Sequence, residues 1–201
     1  GVLVNDKKDN EDTTRVFQVH HSPKRPRKLE AEVVRFMNNK EKWIAVVGLL
    51  DGKPYEIFTG LAEETFVLPQ EIKKAWVLKV KDNKGKTRYD FQFQDKYGYK
   101  VTYEGLSRSF NKEYWNYAKL ISGVLRHGMP MTHVVELISG LNLNDEAINT
   151  WKKGVVRALK KFIPDNTVAL KETGENCGET TCLVYIEGCL NCNRCGHSKC
   201  G

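Results

Sequence analysis

The sequence predicts an α+β fold, in which an antiparallel sheet is packed by about three helices and is followed by a small zinc-ribbon-like tail. Strand-like runs come first, from Leu29 onward, and helical periodicity begins at Asn111. Strands grouped before helices are typical of a sheet that carries its helices on one face. All six cysteines of the 201-residue chain lie in its last twenty-five positions. This concentration indicates a separate unit that is shaped by sulfur chemistry rather than by an apolar core.

Four segments are expected along the chain. The first, a lead-in linker at 1–28, is polar, charged and interrupted by proline. An α+β accessory domain follows at 29–163, then a tether of thirteen residues at 164–176 and a cysteine-rich tail at 177–201. The chain begins with Gly rather than Met, which indicates a fragment of a longer protein.

The composition is that of a globular protein. Hydrophobic residues make up 40% of the chain and aromatic residues 10%, which is enough to bury a core. The longest apolar run, from Trp43 to Leu50, is well below the roughly 18 residues of a transmembrane candidate. The first residues lack the basic and apolar regions of a signal peptide. We therefore expect a cytoplasmic protein, in which thiols stay reduced unless they bind metal or carry out redox chemistry.

Six runs rich in β-branched and aromatic residues predict the strands. They are LEAEVVRF, KWIAVVGLL, KPYEIFTG, AWVLKVK, RYDFQFQ and YGYKVTY. Asp51 and Gly52 separate the second run from the third and favour a tight hairpin, because glycine takes the positive φ of a type I′ turn. DNKGKT is hairpin-prone between the fourth and fifth runs. In RYDFQFQ, Tyr89, Phe91 and Phe93 alternate with polar residues, which predicts a strand with one wet face.

Three amphipathic runs predict the helices. The first starts after Asn111 and ends near Gly128, and the second starts at Pro130, a residue that suits the first turn of a helix. The third starts after Asn144 and ends at Pro164, and its apolar stripe is the most regular in the chain. This stripe consists of Ile148, Trp151, Val155, Leu159 and Phe162.

One basic cluster in the lead-in, PKRPRK, supplies more than half of the net charge of +7. Its cations are Lys24, Arg25, Arg27 and Lys28. Such a cluster can hold phosphates or act as a localisation signal, or it can be a solvated linker stiffened by two prolines. The rest of the chain shows no basic stripe with interleaved aromatics, so the sequence signals nucleic-acid binding only weakly. Residues 29–163 show no catalytic spacing, and His127 and His133 are not spaced as a metal pair.

The six cysteines are spaced C-x4-C-x6-C-x2-C-x2-C-x4-C. Structural zinc takes four ligands in a tetrahedron, and two knuckles joined by a hairpin bring four thiolates together. LVYIEG can supply the strand and turn of that hairpin. The most economical ligand set is the first four cysteines: Cys177, Cys182, Cys189 and Cys192. Four thiolates also suit an iron–sulfur cluster, but a ribbon-like double knuckle is the usual setting of zinc.

Two cysteines, Cys195 and Cys200, remain and have basic neighbours. Arg194, His197 and Lys199 lie beside them, and positive charge stabilises the thiolate that attacks a disulfide. The pair can therefore close and open a disulfide at the chain end. Two other interpretations stay open: these thiols replace or supplement the metal ligands, or the tail is an ordinary zinc ribbon used for docking.

The tail EGCLNCNRCGHSKCG resembles the C-terminal end of ribonucleotide reductase large chains, and is most similar to the adenosylcobalamin-dependent (class II) group with a zinc-binding tail. KRPRKLEAEV, KWIAVVGLLDGKPYEIFTG and LISGVLRHGMPMTHVVELI resemble the segment that follows the catalytic barrel in those proteins. The resemblance covers most of residues 20–201. Relatives usually begin the ribbon with C-x2-C, whereas this chain has CGETTC, which leaves the ligation at Cys177 and Cys182 open.

The resemblance implies a thiol shuttle. In that family the last two cysteines, here Cys195 and Cys200, carry reducing equivalents from thioredoxin or a glutaredoxin-like protein to the active-site disulfide of the barrel, which makes deoxyribonucleotides from ribonucleotides. The other four cysteines are then the zinc ligands, and the rest of the reductase large chain is the partner. Adenosylcobalamin is expected in the full-length enzyme and not in this chain. Because no cysteine precedes Cys177, the chain alone is expected to be inactive.

A second hypothesis comes from a different class of protein. It is a zinc-ribbon binding module that recruits nucleic acid or protein through PKRPRK and the ribbon surface. Salt-sensitive affinity for nucleic acid is the property that distinguishes this module from a shuttle.

Overall fold

The chain forms a six-stranded sheet with helices and, after it, a three-stranded sheet. The computed structural model describes residues 21–62, 67–169 and 182–200. The large sheet contains β1 (Lys28–Asn38), β2 (Glu41–Leu50), β3 (Lys53–Leu61), β4 (Lys74–Lys81), β5 (Thr87–Gln94) and β6 (Lys100–Tyr103). The helices are α1 (Leu106–Ser109), α2 (Lys112–Arg126), α3 (Met131–Ser139) and α4 (Glu146–Lys160). The small sheet contains β7 (Leu183–Ile186), β8 (Cys189–Cys192) and β9 (Ser198–Lys199).

The large sheet confirms the predicted α+β class. Its neighbouring strands are all antiparallel, in the order β3-β2-β1-β4-β5-β6. The turn between β2 and β3 falls at Asp51 and Gly52, whose φ angles are 51° and 76°. Two positive φ angles in succession match the predicted type I′ turn, whose twist fits the flanking strands.

One face of the large sheet is covered by α2, α3 and α4. Phe36, Trp43 and Ile57 from the strands are buried in one core with the apolar stripes of these helices. At Gly154, α4 comes so close to β1 that an added Cβ atom would lie 2.2 Å from the Phe36 ring. Trp151 donates a buried hydrogen bond from its indole N–H to Thr59 Oγ1 at 3.1 Å. None of the helices in the described ranges is long and apolar enough to cross a membrane.

The other face of the sheet curls over itself, a feature that the sequence patterns do not predict. Phe58 on β3 and Tyr89 on β5 have ring centroids 5.3 Å apart, although β2, β1 and β4 lie between these strands in the sheet. Such a contact requires strong curvature. Trp115 packs on both rings, and a second apolar core that includes Phe91 and Phe93 fills the curl. The inward side of β5 is therefore enclosed by the sheet itself.

The lead-in is attached to the sheet by a buried ion pair. Arg25 donates to both carboxylate oxygens of Glu56, from Nε at 2.9 Å and from Nη2 at 2.6 Å. Their side chains are 7% and 3% exposed. Gly48 makes room for this pair, because a Cβ atom there would lie 2.6 Å from Glu56 Cγ. Arg25 is therefore a structural residue rather than a cation of a solvated linker.

The small sheet packs against the end of α4. Leu183 and Tyr185 are buried in the same core as the apolar stripe of that helix. The turn between β7 and β8 contains Glu187 and Gly188, with φ angles of 50° and 79°. An added Cβ atom at Gly188 would lie 3.1 Å from the backbone of Lys160. The hairpin tip therefore rests directly on the last turn of α4.

The start of the predicted tether lies alongside β7. Ala169 N–H donates to the Leu183 carbonyl at 3.0 Å, and Tyr185 N–H donates to the Thr167 carbonyl at 2.9 Å. Val168 forms an antiparallel bridge with β7. Residues 170–176 lie outside the described ranges, so a tether there stays a prediction.

Gly154→Ala is expected to lower the free energy of unfolding by about 1–3 kcal/mol, because the added methyl group overlaps the Phe36 ring in a packed core. Gly123→Ala is the matched control, since an added Cβ on α2 meets no atom within 4 Å. That change is expected to stabilise the protein by up to about 1 kcal/mol through helix propensity. Chemical denaturation measures both, and equal stability of the two variants would contradict the close packing of α4 on β1.

Gly188→Ala is expected to loosen the small sheet from α4. The left-handed conformation costs alanine about 1–2 kcal/mol, and the methyl group also presses on the backbone of Lys160. Gly196→Ala is the control, because its φ is also positive, at 71°, but nothing lies within 4 Å of the added atom. Amide hydrogen exchange in residues 183–192 should be faster in Gly188→Ala. Equal exchange in both variants would show that the turn does not rest on the helix.

Candidate functional site in the cysteine tail

The register of the small sheet places Cys200 beside Cys189. β8 pairs with β9 so that Leu190 lies opposite Lys199, and the next pair outward is Cys189 with Cys200. Their Cα atoms are 4.6 Å apart and their sulfur atoms form a disulfide, at the spacing of a non-hydrogen-bonded antiparallel pair. Cys200 is exposed and Cys189 is half-buried. Solvent therefore reaches this disulfide mainly from the Cys200 side.

A third cysteine, Cys192, lies on the opposite face of β8 from Cys189. Successive side chains of a strand point to opposite faces, so Cys189 and Asn191 share one face while Leu190 and Cys192 share the other. Burial follows this alternation, since Leu190 is 9% exposed and Cys192 is 4% exposed. Two cysteines three residues apart on one strand are thus directed away from each other.

Three thiols gather where β8 ends: Cys182, Cys192 and Cys195. Cys195 N–H donates to Cys192 Sγ at 3.4 Å, and Gly196 N–H donates to the Cys192 carbonyl at 2.9 Å. These two bonds fold residues 192–196 into a tight turn. Asn193 N–H donates to the Cys182 carbonyl at 2.8 Å, which brings the third thiol to the same turn.

Contacts around Cys192 favour its thiolate. Its pKa is lowered to about 6, first by the backbone N–H of Cys195 and further by the N–H of Arg194 and the thiols of Cys195 and Cys182, while burial acts in the opposite direction. Hydrogen bonds from N–H groups stabilise negative charge on sulfur. The deprotonated form is the one that binds metal ions and attacks disulfides.

The structure distributes the predicted site residues over two groups. Among the predicted zinc ligands, Cys182 and Cys192 lie together and Cys189 is in the disulfide, while Cys177 lies outside the described residues. In the predicted shuttle pair, Cys200 is in the disulfide and Cys195 is in the thiol group. Within residues 21–62, 67–169 and 182–200, no group of three or more His, Cys, Asp or Glu side chains is arranged to hold a metal ion. Zinc and its ligands therefore stay predictions.

Cys189, which the spacing predicts as a zinc ligand, lies in the disulfide in this structure. A signal for its position was present in LVYIEGCLNC, which predicts a hairpin around Glu187 and Gly188. On the second strand of that hairpin, positions 189 and 192 differ by an odd number and so face opposite sides. The position of its disulfide partner, Cys200, is determined by the pairing of the short strand β9 with β8. The sequence does not predict β9, because two residues are too few for a recognisable strand pattern.

The domain that carries this tail matches a family model. Residues 29–164 match the model described as NrdJ homologue C-terminal domain, in which NrdJ denotes class II ribonucleotide reductase. This range runs from the second residue of β1 to just beyond α4 and ends before the small sheet. Searches of curated proteins and of solved structures found no match. Because the matched range is more than half of the chain, the protein belongs to the family of the NrdJ homologue C-terminal domain.

Proposed function

We propose that the chain is the C-terminal accessory and thiol-exchange region of a class II ribonucleotide reductase. In this proposal the tail passes reducing equivalents from thioredoxin, or a glutaredoxin-like protein, to the active-site disulfide of the catalytic barrel. The observation that carries the proposal is the disulfide between Cys189 and Cys200 on a sheet that is docked on a domain of this family. It joins an exposed cysteine to a half-buried one, and exchange with another protein requires such access.

The proposed shuttle pair is Cys189 and Cys200. Cys200 also belongs to the pair predicted from the sequence, whereas Cys189 takes the place of Cys195. The backbone N–H of Cys195 is bonded to Cys192 Sγ. Cys200 is the sulfur that an external thiolate reaches first, because it is the more exposed of the two. Lys199 precedes it, and a nearby positive charge favours the thiolate once the bond is reduced.

Electrons move in two exchanges. In the reduced tail, one thiolate attacks the active-site disulfide of the barrel and forms a mixed disulfide. The second thiol attacks that mixed disulfide, closes the bond between Cys189 and Cys200, and leaves two thiols in the barrel. Two electrons and two protons have then passed to the active site. A dithiol protein reverses the sequence at the tail and is itself oxidised to a disulfide.

Zinc is the second part of the proposal, and we assign it to a different set of cysteines from the first four. Cys182, Cys192 and Cys195 lie at one turn, and the N–H bond to Cys192 Sγ suits a thiolate ligand. Their side chains are not arranged around a common point in the described structure, so zinc binding would require them to turn toward the ion. Structural zinc takes four ligands, and Cys177 is the one cysteine that neither group includes. When bound, zinc would supply folding free energy to a tail too small for a core of its own.

The remaining partners are part of the same proposal. Adenosylcobalamin and the nucleotide belong in this proposal to the catalytic barrel of the complete cytoplasmic enzyme. The chain itself contributes the exchange pair and the domain that supports it. The docking of Leu183 and Tyr185 in the core of that domain means that the disulfide is presented at a defined position.

Two Cys→Ser series test this division of the cysteines. Cys189→Ser and Cys200→Ser are expected to abolish reduction by thioredoxin and to leave zinc content unchanged. Cys195→Ser is the matched control, and it should lower zinc content while the oxidised chain still consumes about one NADPH through thioredoxin and its reductase, as one disulfide requires. Elemental analysis and NADPH absorbance measure the two quantities on the same samples.

Opposite outcomes contradict separate parts of the proposal. Zinc loss in Cys189→Ser, with zinc retained in Cys195→Ser, would restore the first four cysteines as the metal ligands. Oxidised wild-type chain that consumes no NADPH would contradict the exchange role as a whole.

A further inference from the structure

Two basic segments that are distant in sequence lie side by side in the fold. Lys28 pairs with Leu78 where β1 meets β4, and Lys79 N–H donates to the Arg27 carbonyl at 2.7 Å. The PKRPRK cluster is thereby placed along the hairpin formed by β4 and β5. The turn end of that hairpin carries four lysines, at positions 79, 81, 84 and 86.

We call the exposed cations of these two segments the basic patch. Its members are Lys24, Arg27, Lys28, Lys79, Lys81, Lys84 and Lys86. Arg25 is excluded, because it is buried against Glu56. Asp82 lies in the hairpin turn, where its carboxylate accepts N–H bonds from Lys84 at 2.9 Å and Lys86 at 2.8 Å. Glu30 is also exposed beside Lys28, and Arg88 on β5 pairs with Asp90 and Glu104. The cations of the patch still outnumber these carboxylates, so the hairpin carries a net positive potential.

Like charges also meet at the side of the patch that contains Lys28. The ammonium groups of Lys28 and Lys100 lie 4.4 Å and 5.7 Å from the centroid of the Trp76 ring. The pKa of Lys28 is lowered, first by burial and then by the charge of Lys100. An anion placed beside the two ammonium groups would offset their repulsion.

Aromatic rings continue from Lys28 toward the turn between β5 and β6, which is at the opposite end of β5 from Lys84 and Lys86. Lys28 and Trp76 lie on one face of the sheet, whereas Lys79 and Lys81 lie on the other. Trp76 is half-buried beneath the two lysines. Tyr97 and Tyr99 follow in the turn between β5 and β6, where they are 73% and 72% exposed. Lys96 lies 5.0 Å from the ring centroid of Tyr97. Cations interleaved with accessible rings are the combination that binds single strands, because phosphates contact the cations and bases stack on the rings.

We propose that the basic patch, together with these rings, binds single-stranded nucleic acid without sequence preference. Six of the seven cations are lysines, and a lysine ammonium contacts phosphate as a point charge rather than reading base edges. Binding of this kind releases counterions and weakens steeply with salt. The site is separate from the cysteine tail and does not depend on the redox chemistry proposed above.

The test uses the full 201-residue chain and a dye-labelled oligothymidylate of about 20 nucleotides, a length that covers the usual site sizes. Fluorescence anisotropy measures the dissociation constant at salt concentrations from about 50 to 200 mM. Lys81→Gln, Lys84→Gln and Lys86→Gln are combined in one variant, which keeps the backbone N–H groups that Asp82 binds. This variant should bind at least about tenfold more weakly at low salt, with a log–log salt slope that is smaller in magnitude by about two.

A matched control removes the same charge elsewhere. Lys112, Lys119 and Lys153 are exposed on α2 and α4, and their combined replacement with Gln should change affinity less than about twofold, because charges beyond the Debye length are screened. Equal losses in the two triple variants, or no salt-dependent binding by the wild type, would overturn the proposal. Tighter binding of a duplex of the same length, or equal binding of polyglutamate, would also overturn it in favour of a duplex or an acidic protein surface.

Discussion

The alternation of side chains along β8 determines what each cysteine of the tail can do. Cys189 and Cys192 lie on opposite faces of one short strand, so Cys192 is on the buried face of the small sheet and Cys189 is on the other face. The pairing of β8 with β9 then brings Cys200 to Cys189. The turn after β8 brings Cys195 to Cys192. A three-stranded sheet thus separates a disulfide from a thiol group within a span of nineteen described residues.

Helix α4 connects this arrangement to the rest of the fold. Its N-terminal half packs on the large sheet through Trp151 and Gly154, and its last turn supports the β7–β8 hairpin. The α+β domain therefore supports the small sheet that carries the disulfide. The basic patch lies on the residues before and at the start of β1 and on the β4–β5 hairpin, whereas the disulfide lies on the small sheet that rests on α4. The two proposed activities thus use different elements of one domain.

Local patterns in the sequence predict most of the elements, because each depends on residues close in the chain. The Asp51-Gly52 turn needs two positive φ angles, and α4 needs a regular apolar stripe and the Asp145 cap. The curl of the sheet depends on Phe58 meeting Tyr89 across three strands, and neither residue carries a local signal for that contact. The ion pair of Arg25 and Glu56 is equally non-local. The basic patch is non-local as well. PKRPRK and the lysines of the β4–β5 hairpin are distant in sequence, and only the pairing of β1 with β4 brings them together.

The hydrogen bond between Ala169 and Leu183 has a consequence for the chain that connects them. Ala169 and Leu183 are held next to each other by this bond, so the connection between them begins and ends at the same place on the domain. The free-energy cost of closing a loop rises slowly with its length, by about 0.6 kcal/mol for each doubling. A change in the length of this connection is therefore expected to leave the position of Cys200 on the domain unchanged. As long as β7 stays paired, the travel of the disulfide is limited by how far the whole domain can rotate.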